Sequence, residues 1–302
     1  MFLATFQELF FNSRCDGDRL ARFDNQTEVK LQELLNHPAV QAGLAPFLVA
    51  LITAELFQRL KLSGLAIIAG FAITVYLASN FTLEPLTAVR KIVLLGLGSA
   101  LLALLLTLLQ ARWLVWLLSI LGGAAAIWTV QRVLQQQAPQ VMILWGAGCA
   151  AYVAILVWGM DKLLDQEPLR VASAATALGI GTGGAALVGA SALLGQFGLA
   201  LGSVAAAHLL IQMVSNQPLS TGRTFTLPLA IIAGLTGCVA VISAQLPWYT
   251  LPLLATIPLA AWLVPLPNSS IRIQSLVLLI LTFSLAAGAI YLTWRVAGDV
   301  PL

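Results

Sequence analysis

The 302-residue chain is 60% hydrophobic and only 9% charged, with a net charge of +3, whereas soluble domains carry roughly 25% charged residues. This balance excludes an ordinary soluble domain, and the lack of a basic tract or aromatic–basic ladder argues against a nucleic-acid partner. Val171 to Gly222 is a run of 52 residues without Asp, Glu, Lys or Arg, enough for two helices that each need about 20 apolar residues to cross the hydrocarbon.

Backbone groups in lipid must be paired internally, which leaves helices or closed barrels. A barrel would alternate polar and apolar residues, but stretches such as Ile92–Leu95 and Leu104–Leu106 are continuously apolar. The expected fold is therefore all-α, a polytopic transmembrane helix bundle of about nine to ten spans.

Residues 1–37 form a polar, amphipathic segment holding ten of the chain's 27 charges. Within it, Met1–Phe11 reads as a short interfacial helix, and Glu28–His37 as an amphipathic turn or two stopped by Pro38. Translation starting near Val29 is an alternative. The first long apolar run begins only near residue 40, so no cleavable signal peptide is expected. The transmembrane domain, 38–302, then contains apolar segments at 40–57, 63–79, 91–109, 113–130, 141–160, 171–194, 198–214, 225–244, 248–265 and 273–294. Seven of the eight Trp residues lie near segment ends, as an interfacial aromatic belt requires.

Alternate connections carry Arg59, Lys61, Arg112, Lys162, Arg170, Arg223 and Arg272, against Arg90, Lys91, Arg132 and Arg295 on the other side. The first group is expected to face the cytoplasm. Segment 40–57, with Gln41, Pro46 and Glu55, is the weakest span. Charge counting favours a re-entrant or surface segment there with nine full spans, and ten spans come second. A multi-pass protein of the bacterial inner-membrane type is the expected localisation.

Glu55 is the one carboxylate inside an apolar segment, a candidate proton carrier or cation ligand. Arg59, four residues on, offers a plain intrahelical pair instead. His208 is placed mid-segment, with Gln212 one turn on and Ser215 on the same face. It could bind a solute or relay a proton, or simply bond to a neighbouring helix. Residues 179–184 match GxGxxG, but no strand precedes them, so a dinucleotide role is excluded. Small residues recur every four positions from Ala175 to Ala206, which suits close helix packing. The sharper expectation is a helix weakened near Gly181–Gly184, with Thr182 and Gln196 contacting a bound solute.

Five prolines, Pro247 to Pro267, predict a kinked or broken span at 248–265. Asp161, Lys162, Asp165, Glu167 and Arg170 read as a solvated loop cluster. Cys15, Cys149 and Cys238 form no CxxC pair and read as packing residues, and no metal site is expected. No nucleophile, acid–base or cofactor motif assembles, so neither an enzyme nor a cofactor is expected.

Two functions fit. One is a small-solute permease or transporter-like protein, with His208, Gln212, Thr182, Gln196 and Glu55 as candidate substrate-binding residues. The other is a non-catalytic subunit, scaffold or assembly factor of a membrane complex. The bilayer is a partner in both, and a membrane-protein partner or homo-oligomer is compatible with either.

Overall fold

A computed structural model describes residues 37–58, 62–79, 81, 84–106, 113–219, 221–244, 246–267 and 270–297. The amphipathic segment before His37, and Arg59, Lys61, Arg112, Asn80 and Asn268, lie outside them. Among the described residues there are ten α-helices and no strand. They are α1 Ala45–Gln58, α2 Ala66–Ser79, α3 Ala88–Leu106, α4 Leu114–Leu134 and α5 Pro139–Leu164, then α6 Pro168–Gly189, α7 Ala192–Ser215, α8 Arg223–Ala244, α9 Thr250–Leu263 and α10 Ile271–Ala297. A π-turn, Val40–Leu44, runs straight into α1, and a 3₁₀ turn, Ser63–Leu65, into α2. The chain is a polytopic membrane protein: eight of these helices, α1 counted with its π-turn from Val40, are long and apolar enough to cross a bilayer.

The two short ones are Ser63–Ser79 and Thr250–Leu263. At 1.5 Å per residue, α9 is about 21 Å long, less than a hydrocarbon core of about 30 Å. Segment 40–58 does not turn back: the π-turn and α1 run in one direction. Gln41 Nε2 donates to the Leu77 carbonyl at 3.2 Å, and Thr74 donates to the Gln41 carbonyl at 2.9 Å. The start of this segment therefore sits beside the end of α2.

α8 is the axis of the bundle. It is 94% buried over its apolar window and packs on α3, α5, α6, α4 and α7. It is apolar all round, as a helix surrounded by other helices must be. Pro228 lies inside it without ending it. The outward faces of the peripheral helices expose Leu105, Ile120, Leu144 and Ile280, which water would not tolerate as contiguous surface and lipid does.

The closest contact in the fold is α6 against α7. Glycines bring the two backbones together: a Cβ on Gly179 would collide with the Gly202 backbone, and one on Gly183 with the Leu199 amide nitrogen. The expected weakening at Gly181–Gly184 does not occur, because α6 is continuous from Pro168 to Gly189. Its glycines are covered by a partner's backbone or side chains, so the helix bonds are shielded rather than opened. The proline-rich span is also unbroken within Thr250–Leu263. Pro252 and Pro258 lie inside it, while Pro247, Pro265 and Pro267 bound it, so prolines shorten this helix instead of breaking it.

Candidate functional site

α7 starts at a Ser191 cap, whose hydroxyl accepts from the Leu194 amide at 3.3 Å, and ends at Asn216 in the left-handed region. Ser, and Asn at φ 52°, are the residue types those two positions favour. His208 therefore lies two turns from the end of α7, about 10 Å below Ser215, not at mid-span as expected.

His208 and Gln212 are both fully buried. The His208 ring rests on Phe225 of α8, with centroids 4.7 Å apart and planes at 44°. The imidazole leans towards the Ser63 carbonyl of the 3₁₀ turn and the Val204 carbonyl of its own helix. Neither ring nitrogen reaches hydrogen-bond geometry, however, and neither polar atom of the Gln212 side chain has a partner. The Thr221 hydroxyl, just before α8, is likewise buried and unpartnered. Over this group the turn at Ser63–Leu65 presses on the head of α8: a Cβ on Gly64 would strike the Thr224 side chain and come within 2.8 Å of the Phe225 nitrogen.

Four side-chain polar atoms, one turn apart on one helix face, are thus sealed without partners. Each buried unmade hydrogen bond costs about 1–3 kcal/mol, and native interiors leave few such atoms. The arrangement offers donors and acceptors but no carboxylate, so its chemistry suits an uncharged polar guest.

Thr182 is buried on α6, on the side facing α5, where the Tyr152 hydroxyl turns towards it. Both hydroxyls miss hydrogen-bond geometry. Beside them Cys238 of α8 points its thiol at the Cys149 carbonyl, 3.7 Å away, and both cysteines are free. Thr182 is not brought to His208. The Gly183–Leu199 contact sets its level on α7, nine residues and about 13 Å from His208. Gln196 is half-buried and sits twelve residues before His208, about 18 Å along α7 and a third of a turn around it. Glu55 is exposed on the outer face of α1 beside Ile52 and Leu56, away from this interior, and its expected partner Arg59 lies outside the described residues.

The loop cluster divides. Lys162 and Asp165 form the expected exposed pair at 3.5 Å. Asp161 instead is buried and pairs with Arg223 at 2.8 Å, joining the end of α5 to the head of α8. Arg170 is also buried; its guanidinium donates to the Ala261 and Val264 carbonyls at 2.5 and 2.7 Å, closing the end of α9. Arg272 reaches the Met213 carbonyl at 3.2 Å. These contacts bring Asp161, Arg170, Arg223 and Arg272 to one end of the bundle, the end nearer His208.

Sequence reasoning missed Tyr152, the facing of Cys149 and Cys238, and the burial of Asp161 and Arg170. A lone Tyr within a long helix carries no local signal. The cysteines are 89 residues apart, so only packing could pair them. Among the described residues no group of three or more His, Cys, Asp or Glu could hold a metal. Comparison with protein-family models and with curated proteins finds no match.

Proposed function

We propose that this polytopic membrane protein is a permease for a small, uncharged polar solute, with His208 and Gln212 as the polar lining of its pathway. The carrying observation is the set of four buried, unpartnered polar atoms on one face of α7. A guest with both donor and acceptor groups would satisfy them, whereas the Ser63 and Val204 carbonyls beside the ring miss hydrogen-bond geometry. Short helices support the reading: the Ser63–Ser79 segment begins at the His208 contact, and irregular or shortened helices border the sites of many transporters. Entry requires the Ser63–Leu65 turn to move away from the head of α8. In this reading the chain catalyses no covalent step and lies in a bacterial inner membrane, with the Arg170–Arg223–Arg272 end in the cytoplasm.

The test is osmotic swelling of proteoliposomes with a panel including urea, glycerol and acetamide. Wild type should admit at least one member faster than protein-free vesicles. His208→Ala and Gln212→Leu should abolish that flux while purifying as folded, monodisperse protein. No flux from wild type, together with a His208→Ala protein that loses a co-purifying partner, would replace this reading with a non-catalytic subunit of a membrane complex.

A further inference from the structure

α3 and α4 are consecutive and antiparallel, yet they splay apart and leave a cleft of about 170 Å³ between them. Its walls include Leu94, Gly98 and Leu102 of α3 and Leu118 and Leu121 of α4, and its floor is Ile231 of α8. Small residues create the space: a Cβ on Gly98 would meet nothing within 4 Å. The cleft is almost wholly apolar and opens to the outside of the bundle.

Its end is not apolar. One turn before Leu94, Lys91 is 4% exposed; its ammonium donates to the Trp128 carbonyl at 2.7 Å and lies 4.6 Å from the Trp128 ring centre. An ammonium has three donors, and among the described residues only that carbonyl accepts from it. No carboxylate of the described residues pairs with it. Arg132, one turn beyond Trp128, is exposed and within Coulombic reach of Lys91. Glu84, the carboxylate preceding α3, makes no ion pair with either. From Lys91 to Leu102 is eleven residues, about 16 Å, close to half of a hydrocarbon core of about 30 Å.

We propose that this cleft binds an anionic phospholipid of the surrounding leaflet, with one acyl chain along α3 and α4 and the phosphate against Lys91 and Arg132. The length fits one leaflet, the lining fits a chain, and two cations that pair with no carboxylate among the described residues fit a phosphate. This does not depend on the permease reading. Basic sites at helix ends hold anionic head groups at about 1 kcal/mol per cation, or roughly fivefold each.

Native mass spectrometry of the delipidated protein tests it, with phosphatidylglycerol and phosphatidylcholine of identical chains as probes. Phosphatidylglycerol should be retained at least about fivefold more. Lys91→Gln and Arg132→Gln should each erode that preference, and Arg132→Gln, at an exposed position, should leave folding intact. Gly98→Leu enters open space, so it should fold normally and reduce retention of both lipids. Equal retention of the two lipids by wild type, or undiminished retention by Gly98→Leu, overturns the proposal. Full competition by soluble glycerol phosphate also overturns it, because a head-group site alone would need no cleft.

Discussion

Arg170 shows how much a single side chain does at the end of a short helix. The last carbonyls of α9 have no partner within the helix, and a guanidinium held against those of Ala261 and Val264 meets both the hydrogen-bond need and the negative end of the helix dipole. Arg170→Leu removes both contacts to Ala261 and Val264. It should lower stability by roughly 3–6 kcal/mol, since hydrogen bonds to charged groups are worth about 1.5–3 each. Lys162→Leu breaks only an exposed pair and should be nearly silent. Thermal unfolding of both variants in the same detergent checks the contrast, and equal losses would show that Arg170 is not a cap. The same scale separates His208 from Glu55. Glu55→Gln changes an exposed group on the outer wall, so any flux carried by wild type should survive it.

Among elements, the glycines sort by what faces them. Gly179, Gly183, Gly198 and Gly202 allow α6 and α7 to touch backbone to backbone, the arrangement that lets helices associate where lipid provides no hydrophobic drive. Gly183→Ala places a methyl on the Leu199 nitrogen and forces the helices apart, costing about 1–3 kcal/mol or more. Gly148→Ala, on a helix of the same bundle, meets open space and should be neutral or slightly stabilising, because Ala is the better helix former by about 1 kcal/mol. Thermal unfolding of the pair measures it. Similar melting of both variants would mean that α6 and α7 are not in close contact.

For the whole molecule, the charge pattern and the packing agree on grouping. Arg170, Arg223 and Arg272 come to one end, and Lys91 reaches Trp128, one turn from Arg132, at the other. Counting only the connections after residue 58, seven positive charges against four predict that the first end is cytoplasmic. A single cysteine at Gln166, in a background lacking the native three, should resist an impermeant thiol reagent in intact cells. One at Gln136, in the opposite connection, should react. The reverse pattern would invert the orientation.

Composition and the order of apolar runs determined the membrane environment, the helical class and the approximate place of each described span, because lipid demands long apolar runs with internally paired backbones. The continuous helix at 40–58 and the intact α6 were decided by neighbours: Leu77 beside Gln41, and the α7 backbone over the Gly183 position. His208 and Gln212 could be named from sequence because a polar face on an apolar helix is a one-dimensional pattern. That their four polar atoms lie sealed beneath Ser63 and Phe225, that Thr182 faces Tyr152 instead, and that Lys91 stands at the head of a cleft are consequences of which helices become neighbours. Contacts between residues tens of positions apart leave no mark on local hydropathy, and only the tertiary structure decided them.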